Sequence, residues 1–242
     1  MSGARNNSAI GRLVKAATKV EPHETTATLL SFLFVFVLMT AYFILRPVRD
    51  ALSSDWTDEQ LSWLWTSTFV FSLIAVSIYG AVISRVRFRI IVPSVYTFFA
   101  ATFIGFYVAG STLGDNDLVN RAYYVWLSVF SLYHLSVFWT FMSGLYNKDQ
   151  AKRLFSIIAM GASAGAIVGP SIPTFFADDI GTLNLLLIAA FLLMIPIPLI
   201  WKLEQLRSSH LGNEDVSADL SGDERLAGNP FSGFSNFVSN PY

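Results

Sequence analysis

Six long apolar blocks, separated by short polar connections, constrain this chain of 242 residues more than any other feature. A helix needs about 20 predominantly apolar residues to cross the hydrocarbon core of a bilayer. The blocks are Thr28–Leu45, Leu61–Ile83, Ile90–Val108, Tyr123–Tyr146, Leu154–Ala177 and Leu183–Trp201. Each is close to that length or longer, and a water-soluble core could not absorb all six. We therefore predict an all-α, polytopic membrane protein with six transmembrane helices and the lipid bilayer as its main partner.

The composition excludes several other classes of protein. Hydrophobic residues make up 53% of the chain and charged residues 14%, whereas soluble domains carry roughly 25% charged residues. The chain has no cysteine, which excludes disulfides, thiolate metal sites and a cysteine nucleophile. The near-neutral net charge of −1 gives no indication of nucleic acid as a partner.

Lysine and arginine concentrate on one side of the six blocks. Thirteen of the sixteen cations lie before the first block, between the second and third, between the fourth and fifth, and after the sixth: Arg5, Arg12, Lys15, Lys19, Arg85, Arg87, Arg89, Lys148, Lys152, Arg153, Lys202, Arg207 and Arg225. The other side holds Arg46, Arg49 and Arg121. Because cytoplasmic connections of membrane proteins are enriched in lysine and arginine, we predict that both termini are cytoplasmic.

The composition also divides the chain into three parts. Residues 1–24 form a basic cytoplasmic tail, within which residues 9–19 have the spacing of a surface helix on anionic lipid; a disordered basic tail is the alternative. Residues 25–204 hold the six-helix bundle. Residues 205–242 are polar and rich in Ser, Gly, Asn and Asp, with a few aromatic residues near the end. We predict that they form a cytoplasmic linker that leads toward a second half. No A-x-A site follows the first block, so we predict a retained anchor rather than a signal peptide.

The fifth block contains the segment "MGASAGAIVGP", in which Gly161, Gly165 and Gly169 are four residues apart. Glycines with this spacing leave one helix face without side chains, so that a second backbone can approach closely. Pro170 follows directly and favours a kink because proline lacks the backbone donor. We predict a helix-packing and conformational role for these four residues. Pro196 and Pro198 in the sixth block carry a weaker form of the kink signal.

His134 is the only histidine within the six blocks. A titratable group inside a membrane is a candidate for substrate binding or proton transfer, although a neutral imidazole hydrogen-bonded to a neighbouring Ser or Tyr is the alternative. The three histidines lack metal-ligand spacing, and no glycine-rich phosphate loop is present. We therefore predict no metal site, no cofactor and no enzymatic activity.

Two arginines end the first block in the stretch "TAYFILRPVRDAL". If the helix begins near Pro22, Arg46 lies about 36 Å along it, at the outer rim of a hydrocarbon core about 30 Å thick. Arg46 and Arg49 share one helix face, and guanidinium groups bind phosphate and carboxylate through paired hydrogen bonds. We predict that they bind an anionic substrate and that Asp50 neutralises the empty site. Arginines that only snorkel to the membrane interface are the alternative.

Two segments of the chain carry a resemblance to a known family. "FILRPVRDAL" and "SVFWTFMSGLYNKDQAKRLFSIIAMGASAGAIVGP" resemble the N-terminal half of the ATP:ADP antiporter (nucleotide transporter) family, of the bacterial type within the major facilitator superfamily. The resemblance covers roughly residues 25–242. Leu45, Arg46, Arg49 and Asp50 match the family's L-R-x-x-K-D-like segment, with arginine replacing the lysine implicated in nucleotide binding. The family's helix 4 glutamate has no counterpart here.

The resemblance implies one six-helix half bundle of the major facilitator type in the bacterial inner (plasma) membrane. It also implies a second six-helix half, either as a missing C-terminal part or as a separate subunit. The implied activity is secondary transport or exchange of a nucleotide such as ATP or ADP, or of another phosphorylated or organic anion. The alternative function is a non-transporting multi-pass protein that uses its glycine face and basic tail for assembly or lipid contact.

Overall fold

The computed structural model describes residues 20–83, 88–209 and 211, apart from the side chains of residues 80–89, 208 and 209. This part of the chain contains α-helices and no strand. The helices are α1 (Thr25–Leu52), α2 (Asp58–Ile83), α3 (Phe88–Leu113), α4 (Asp117–Leu145), α5 (Lys148–Ile180), α6 (Asn184–Met194) and α7 (Pro196–Ser209). Six spans are long and apolar enough to cross a membrane, the sixth comprising α6 and most of α7. The predicted all-α fold with six transmembrane helices is confirmed.

The polar connections supply the signals that start and end the helices. The Asn116 side chain accepts hydrogen bonds from the first free N–H groups of α4. Asn147 and Gln150 form a capping box at the start of α5, which satisfies donors that a helix cannot pair internally. Gly114 and Gly181 take positive φ angles of 66° and 85° in the turns before α4 and α6. Such backbone angles favour glycine.

The sixth span is divided by its prolines, whereas α5 continues through Pro170 and Pro173 as one helix. At Ile195 the backbone keeps helical angles of φ −62° and ψ −39°. Its N–H, however, bonds to the carbonyl of Leu192, three residues back. Pro196 follows and has no N–H with which to continue the ladder. The helix is therefore interrupted at Pro196, although Pro170 of α5 has the stronger kink signal in the sequence.

The set of helix contacts stays largely the same when α1, α2 and α3 are replaced by α4, α5 and α6, respectively, and the reverse. Helix α1 packs against α5, and α4 correspondingly against α2; α1 packs against α6, and α4 against α3. Two further contacts, α1 with α4 and α3 with α6, map onto themselves. Repeats of opposite orientation are a common construction in membrane transporters. Here α1, α4, α3 and α6 form a square, and α5 and α2 flank it.

Aromatic side chains fill the centre of the square. Phe34 of α1 makes edge contacts with Tyr96 of α3 and Phe138 of α4. Phe130 packs against Phe99 and Phe103 on the α3 side. Aromatic pairs at such distances prefer edge-to-face geometry. Burial differs strongly between the helices: 56% of the most apolar stretch of α1 and of α4 is buried, but only 6% of that of α2.

Two predictions fall outside the described residues. The surface helix predicted for residues 9–19 lies in the undescribed tail, and so does nearly all of the linker predicted for residues 205–242. The side chains of the basic connection between α2 and α3 are not described either. Helix α7 continues to Ser209, beyond the predicted end of the bundle at residue 204.

Candidate functional site

The paired arginines lie in the last two turns of α1, since the helix continues to Leu52. We call this end of the bundle the Arg46 end and the opposite end, where α1 begins, the Glu24 end. Arg46, Arg49 and Asp50 form one cluster at the Arg46 end. Asp50 pairs with both arginines but does not neutralise the empty site as predicted, because two cations and one carboxylate leave a single net positive charge. Such a charge is suited to attract an anion.

Arg49 is held firmly between α1 and α4. Its Nη2 and Nε atoms donate to one oxygen of Asp50 at 2.7 and 3.0 Å. Its Nη1 lies 3.4 Å from the Ser128 hydroxyl, and its guanidinium group lies 5.2 Å from the centre of the Tyr124 ring. The side chain is 17% exposed. These contacts fix the orientation of the guanidinium plane, so Arg49 provides a positioned charge.

Arg46 is much less constrained than Arg49. Its Nε lies 3.7 Å from the second oxygen of Asp50, beyond hydrogen-bond distance. Its guanidinium group is 5.9 Å from the Phe43 ring, and the side chain is 48% exposed. Exposed ion pairs at this distance contribute at most about 1 kcal/mol. Of the two arginines, Arg46 is therefore the one with hydrogen-bond donors available to a ligand.

A stripe of hydroxyl groups on α4 begins beside Arg49. After Tyr123, the exposed positions of this helix are Leu132, Ser136, Thr140 and Ser143. We call Ser128, Ser136, Thr140 and Ser143 the hydroxyl stripe. From its first to its last member it extends about 22 Å along the helix, which is most of a hydrocarbon core about 30 Å thick. The stripe lies on α4 at the side left open by α1, α2 and α3.

Exposed hydroxyls in the middle of a membrane span are unusual, because polar side chains there commonly face a protein interior or a water-filled cavity. Each member of the stripe donates to a carbonyl of its own helix, Ser136 for example to Leu132 at 2.7 Å. The oxygen lone pairs remain available. Helix α2 also exposes hydroxyls, such as those of Ser62 and Thr66, but they lie among large apolar side chains: Trp63, Phe69 and Leu73 are each at least 60% exposed. The α4 side is therefore suited to water and the α2 side to lipid.

His134 lies inside the protein and apart from the arginine cluster. The residue is 4% exposed, its ring stacks on Tyr42 at 4.6 Å, and Nδ1 lies 3.2 Å from the carbonyl of Phe130. Nε2 is buried with no hydrogen-bond partner among the described residues. His134 lies six residues, or about 9 Å, beyond Ser128 along α4. The structure does not bring it together with Arg46 and Arg49.

The glycine face of α5 lies against the backbone of α1. A Cβ atom added to Gly161 would lie 2.5 Å from the Phe32 carbonyl oxygen, and one added to Gly165 would lie 2.5 Å from that of Phe36. Gly169 is equally close to the Phe43 side chain. No real Cβ tolerates such distances to backbone atoms. The three glycines, together with the neighbouring Pro170, thus lie in the most extensive helix contact of the bundle.

A buried ion pair closes the Glu24 end of this contact. The carboxylate of Glu24 is 1% exposed and receives two hydrogen bonds from Arg153, at 2.8 and 3.1 Å. Arg153 also lies 3.3 Å from Glu21. Ligand atoms of Glu21, His23 and Glu24 lie within 4.8 Å of one another. Because Arg153 already pairs with both carboxylates, this group is better described as an ion-pair cluster than as a metal site.

The sequence did not single out Ser128 and Tyr124 as contacts of Arg49, nor the Glu24–Arg153 pair at the opposite end of α1. The stripe has a detectable signal, since hydroxyls at positions 128, 136, 140 and 143 share a helix face. The ion pair joins residues 129 positions apart and has no local signal. No protein-family model, no curated protein and no solved structure matches this chain.

Proposed function

We propose that this integral membrane protein is one half of a secondary transporter for a nucleotide or another phosphorylated or organic anion. The proposal combines the resemblance of its segments to the ATP:ADP antiporter family with the charge distribution at the Arg46 end. In it, the chain is a carrier rather than an enzyme. It resides in the bacterial inner membrane, with the Arg46 end outside and both termini in the cytoplasm.

The hydroxyl stripe is the observation that carries the proposal. It begins where Arg49 donates to Ser128 and continues through exposed Ser136, Thr140 and Ser143. An anion that enters a bilayer loses its hydration at a large free-energy penalty. A cationic cluster followed by a polar, water-accessible helix face offsets that penalty along most of the membrane.

The two arginines have different tasks in this mechanism. Arg46 contacts the substrate, because its side chain is half exposed and lacks a hydrogen bond within the described residues. Arg49 supports the field and holds Asp50 at 2.7 Å. When an anion binds Arg46, it replaces the weak 3.7 Å contact with Asp50. Charge-assisted hydrogen bonds to phosphate or carboxylate are stronger than that contact.

A second six-helix half is the partner that the polar face requires. Helices α1 and α4 form one edge of the square, opposite α3 and α6. Two such halves facing each other enclose a water-filled path in transporters with repeated architecture. In this proposal the partner half covers the hydroxyl stripe, and the outer sides of α2 and α3 remain in contact with lipid.

The alternative function, assembly through the glycine face of α5, has less support. Gly161, Gly165 and Gly169 are buried against α1 of the same chain. A face that is already occupied is not available to another protein.

Uptake of radiolabelled ATP, ADP and inorganic phosphate by cells that express the complete reading frame containing this chain tests the proposal. Arg46→Gln should lower anion uptake about tenfold or more, and Arg46→Lys should retain part of it. Arg49→Lys should weaken uptake less than Arg49→Ala, because it keeps the charge. Arg121→Gln is the matched control: it removes a cation at the same end that pairs with Asp117.

Normal uptake by the Arg46→Gln, Arg49→Gln double variant at normal expression would contradict the site. Such a result would favour the alternative, in which both arginines only snorkel to the membrane interface. Equal losses in Arg121→Gln would also contradict it, since they would indicate a general effect of charge at this end.

A further inference from the structure

The Asp50 carboxylate bridges the two arginines at the Arg46 end. One of its oxygens accepts hydrogen bonds from Nε and Nη2 of Arg49, and the other oxygen lies 3.7 Å from Nε of Arg46. The ion pair of Arg121 with Asp117, at the same end, joins one cation to one carboxylate. Asp50 is therefore shared between two positive charges, and it binds Arg49 much more closely than Arg46.

These hydrogen bonds use the part of Arg49 that an anion would bind. A guanidinium group binds phosphate or carboxylate most strongly through the N–H groups along one of its edges. In Arg49 the edge formed by Nε and Nη2 holds Asp50, at 3.0 and 2.7 Å. Its Nη1 lies 3.4 Å from the Ser128 hydroxyl, and the Tyr124 ring lies below the group. The donors of Arg49 are thus largely engaged within the protein.

The cluster consequently offers its two cations unequally to an arriving anion. Arg46 is 48% exposed, whereas Arg49 is 17% exposed. An anion that comes from water reaches Arg46 first and finds the nearest edge of Arg49 occupied. Asp50 is itself 52% exposed, so its carboxylate can turn into water without being dehydrated. The group that blocks Arg49 therefore lies at the surface, where it can be displaced.

A displaced Asp50 would still oppose the anion. The carboxylate remains attached one residue from Arg49, and a tethered ligand competes at a high effective concentration. It also repels the anion that has taken its place, because like charges a few ångströms apart raise the energy of the complex. Both effects weaken anion binding although both arginines are present.

We propose that Asp50 is an intramolecular competitor that keeps Arg49 from the substrate and thereby limits the affinity of the anion site. The inference rests on the proposed function and adds the regulation of the same site. With Asp50 on Arg49, the substrate is held by Arg46; when Asp50 turns away, both guanidinium groups bind it. Such a limit suits transport, because a bound substrate must also be able to leave.

Binding of inorganic pyrophosphate to the purified protein of the complete reading frame tests this role of Asp50. Isothermal titration calorimetry in detergent at low salt measures the dissociation constant. Asp50→Asn removes the charge but keeps the shape, and should lower the dissociation constant about tenfold, which corresponds to one further charge-assisted hydrogen bond. Asp50→Glu keeps the charge and should bind like the wild-type protein.

Two comparisons separate competition for Arg49 from a general effect of charge. Asp117→Asn is the matched control: it removes a carboxylate at the same end that pairs with Arg121, and should change the dissociation constant much less than Asp50→Asn does. In an Arg49→Gln background, Asp50→Asn has no second arginine to release. Its gain in affinity should therefore be about fivefold smaller there than in the wild-type background.

Equal gains from Asp50→Asn in the two backgrounds would overturn the proposal, and so would an equal gain from Asp117→Asn. If the wild-type protein binds pyrophosphate and Asp50→Asn binds it no more tightly, Asp50 is not a competitor, although the anion site of the proposed function stands. If neither protein binds pyrophosphate, both that site and the role of Asp50 are contradicted.

Discussion

The α1–α5 contact and the α2–α4 contact occupy corresponding positions in the bundle but are built in opposite ways. Between α1 and α5, glycines let two backbones meet, and the Glu24–Arg153 pair closes one end. Between α2 and α4, the inward hydroxyls of Thr68, Ser72 and Tyr79 have no partner in the described part of the chain. The first contact is complete within the chain. The second leaves polar groups unpaired and the space between the helices unfilled.

The difference shows that similar topology does not require similar packing. Backbone contact through glycine fixes two helices at one distance, because neither side can yield. The hydroxyls on the exposed side of α2, such as Ser62 and Thr66, bond to carbonyls four residues back. The inward hydroxyls do not. Helix α2 is consequently the span whose position depends most on what lies beside it.

The largest test of this comparison is Gly165→Leu. The added side chain would meet the Phe36 carbonyl oxygen and the Thr40 backbone, so α1 and α5 must separate. We expect the free energy of unfolding to fall by about 3 kcal/mol, at the upper end of overpacking effects, measured by thermal unfolding in detergent. Gly105→Leu is the control, because nothing lies within 4 Å of an added Cβ there. Equal stability of the two variants would contradict backbone contact.

A smaller loss is expected for Arg153→Ala, which leaves the buried Glu24 carboxylate without its cation. Removal of one partner of a fully buried pair costs about 3–5 kcal/mol; since the Arg153 side chain is 29% exposed, we expect about 2 kcal/mol in the same assay. Lys152→Ala removes a neighbouring cation that is 76% exposed and pairs with Asp149. If both variants lost the same stability, the ion pair would have no special role in the α1–α5 contact.

The smallest expected effect is a change in the free energy of unfolding that has opposite signs for a serine of α2 and a serine of α1. Ser72→Ala removes an unpaired buried hydroxyl from α2 and should raise the free energy of unfolding by about 1 kcal/mol. Ser31→Ala breaks the buried hydrogen bond of α1 with Tyr146 and should lower it by about 1 kcal/mol. Both variants remove one serine hydroxyl group. A loss for Ser72→Ala as large as that for Ser31→Ala would show that the α2 hydroxyl has a partner after all.

The spans could be predicted from sequence because hydrophobic length alone decides whether a helix can cross lipid. Their ends could not. The first apolar block ends at Leu45, yet α1 continues to Leu52, where Arg46 and Asp50 pair four residues apart on one helix face. The division of the sixth span at Ile195 was similarly hidden, since prolines in α1, α3 and α5 are accommodated without interruption.

The candidate site was predictable only where its signals are local. The Arg46, Arg49 and Asp50 cluster lies within five consecutive residues, so spacing on one helix was enough to suggest it. The contact of Arg49 with Ser128 joins α1 to α4 across 79 positions and depends on how those helices pack.

The α1–α5 contact also sets an order of events during synthesis. Of the six spans, the ribosome makes α1 before the others, but its main partner begins only at Lys148. At roughly 5–20 residues per second, the ribosome needs roughly 5–20 seconds to make the intervening segment of about 100 residues. During that interval the carboxylate of Glu24 and the Phe32–Thr40 backbone lack their native neighbour. The nascent protein must therefore keep its first span in place until the fifth arrives, so chain release or cleavage within α4 leaves a product without its principal contact.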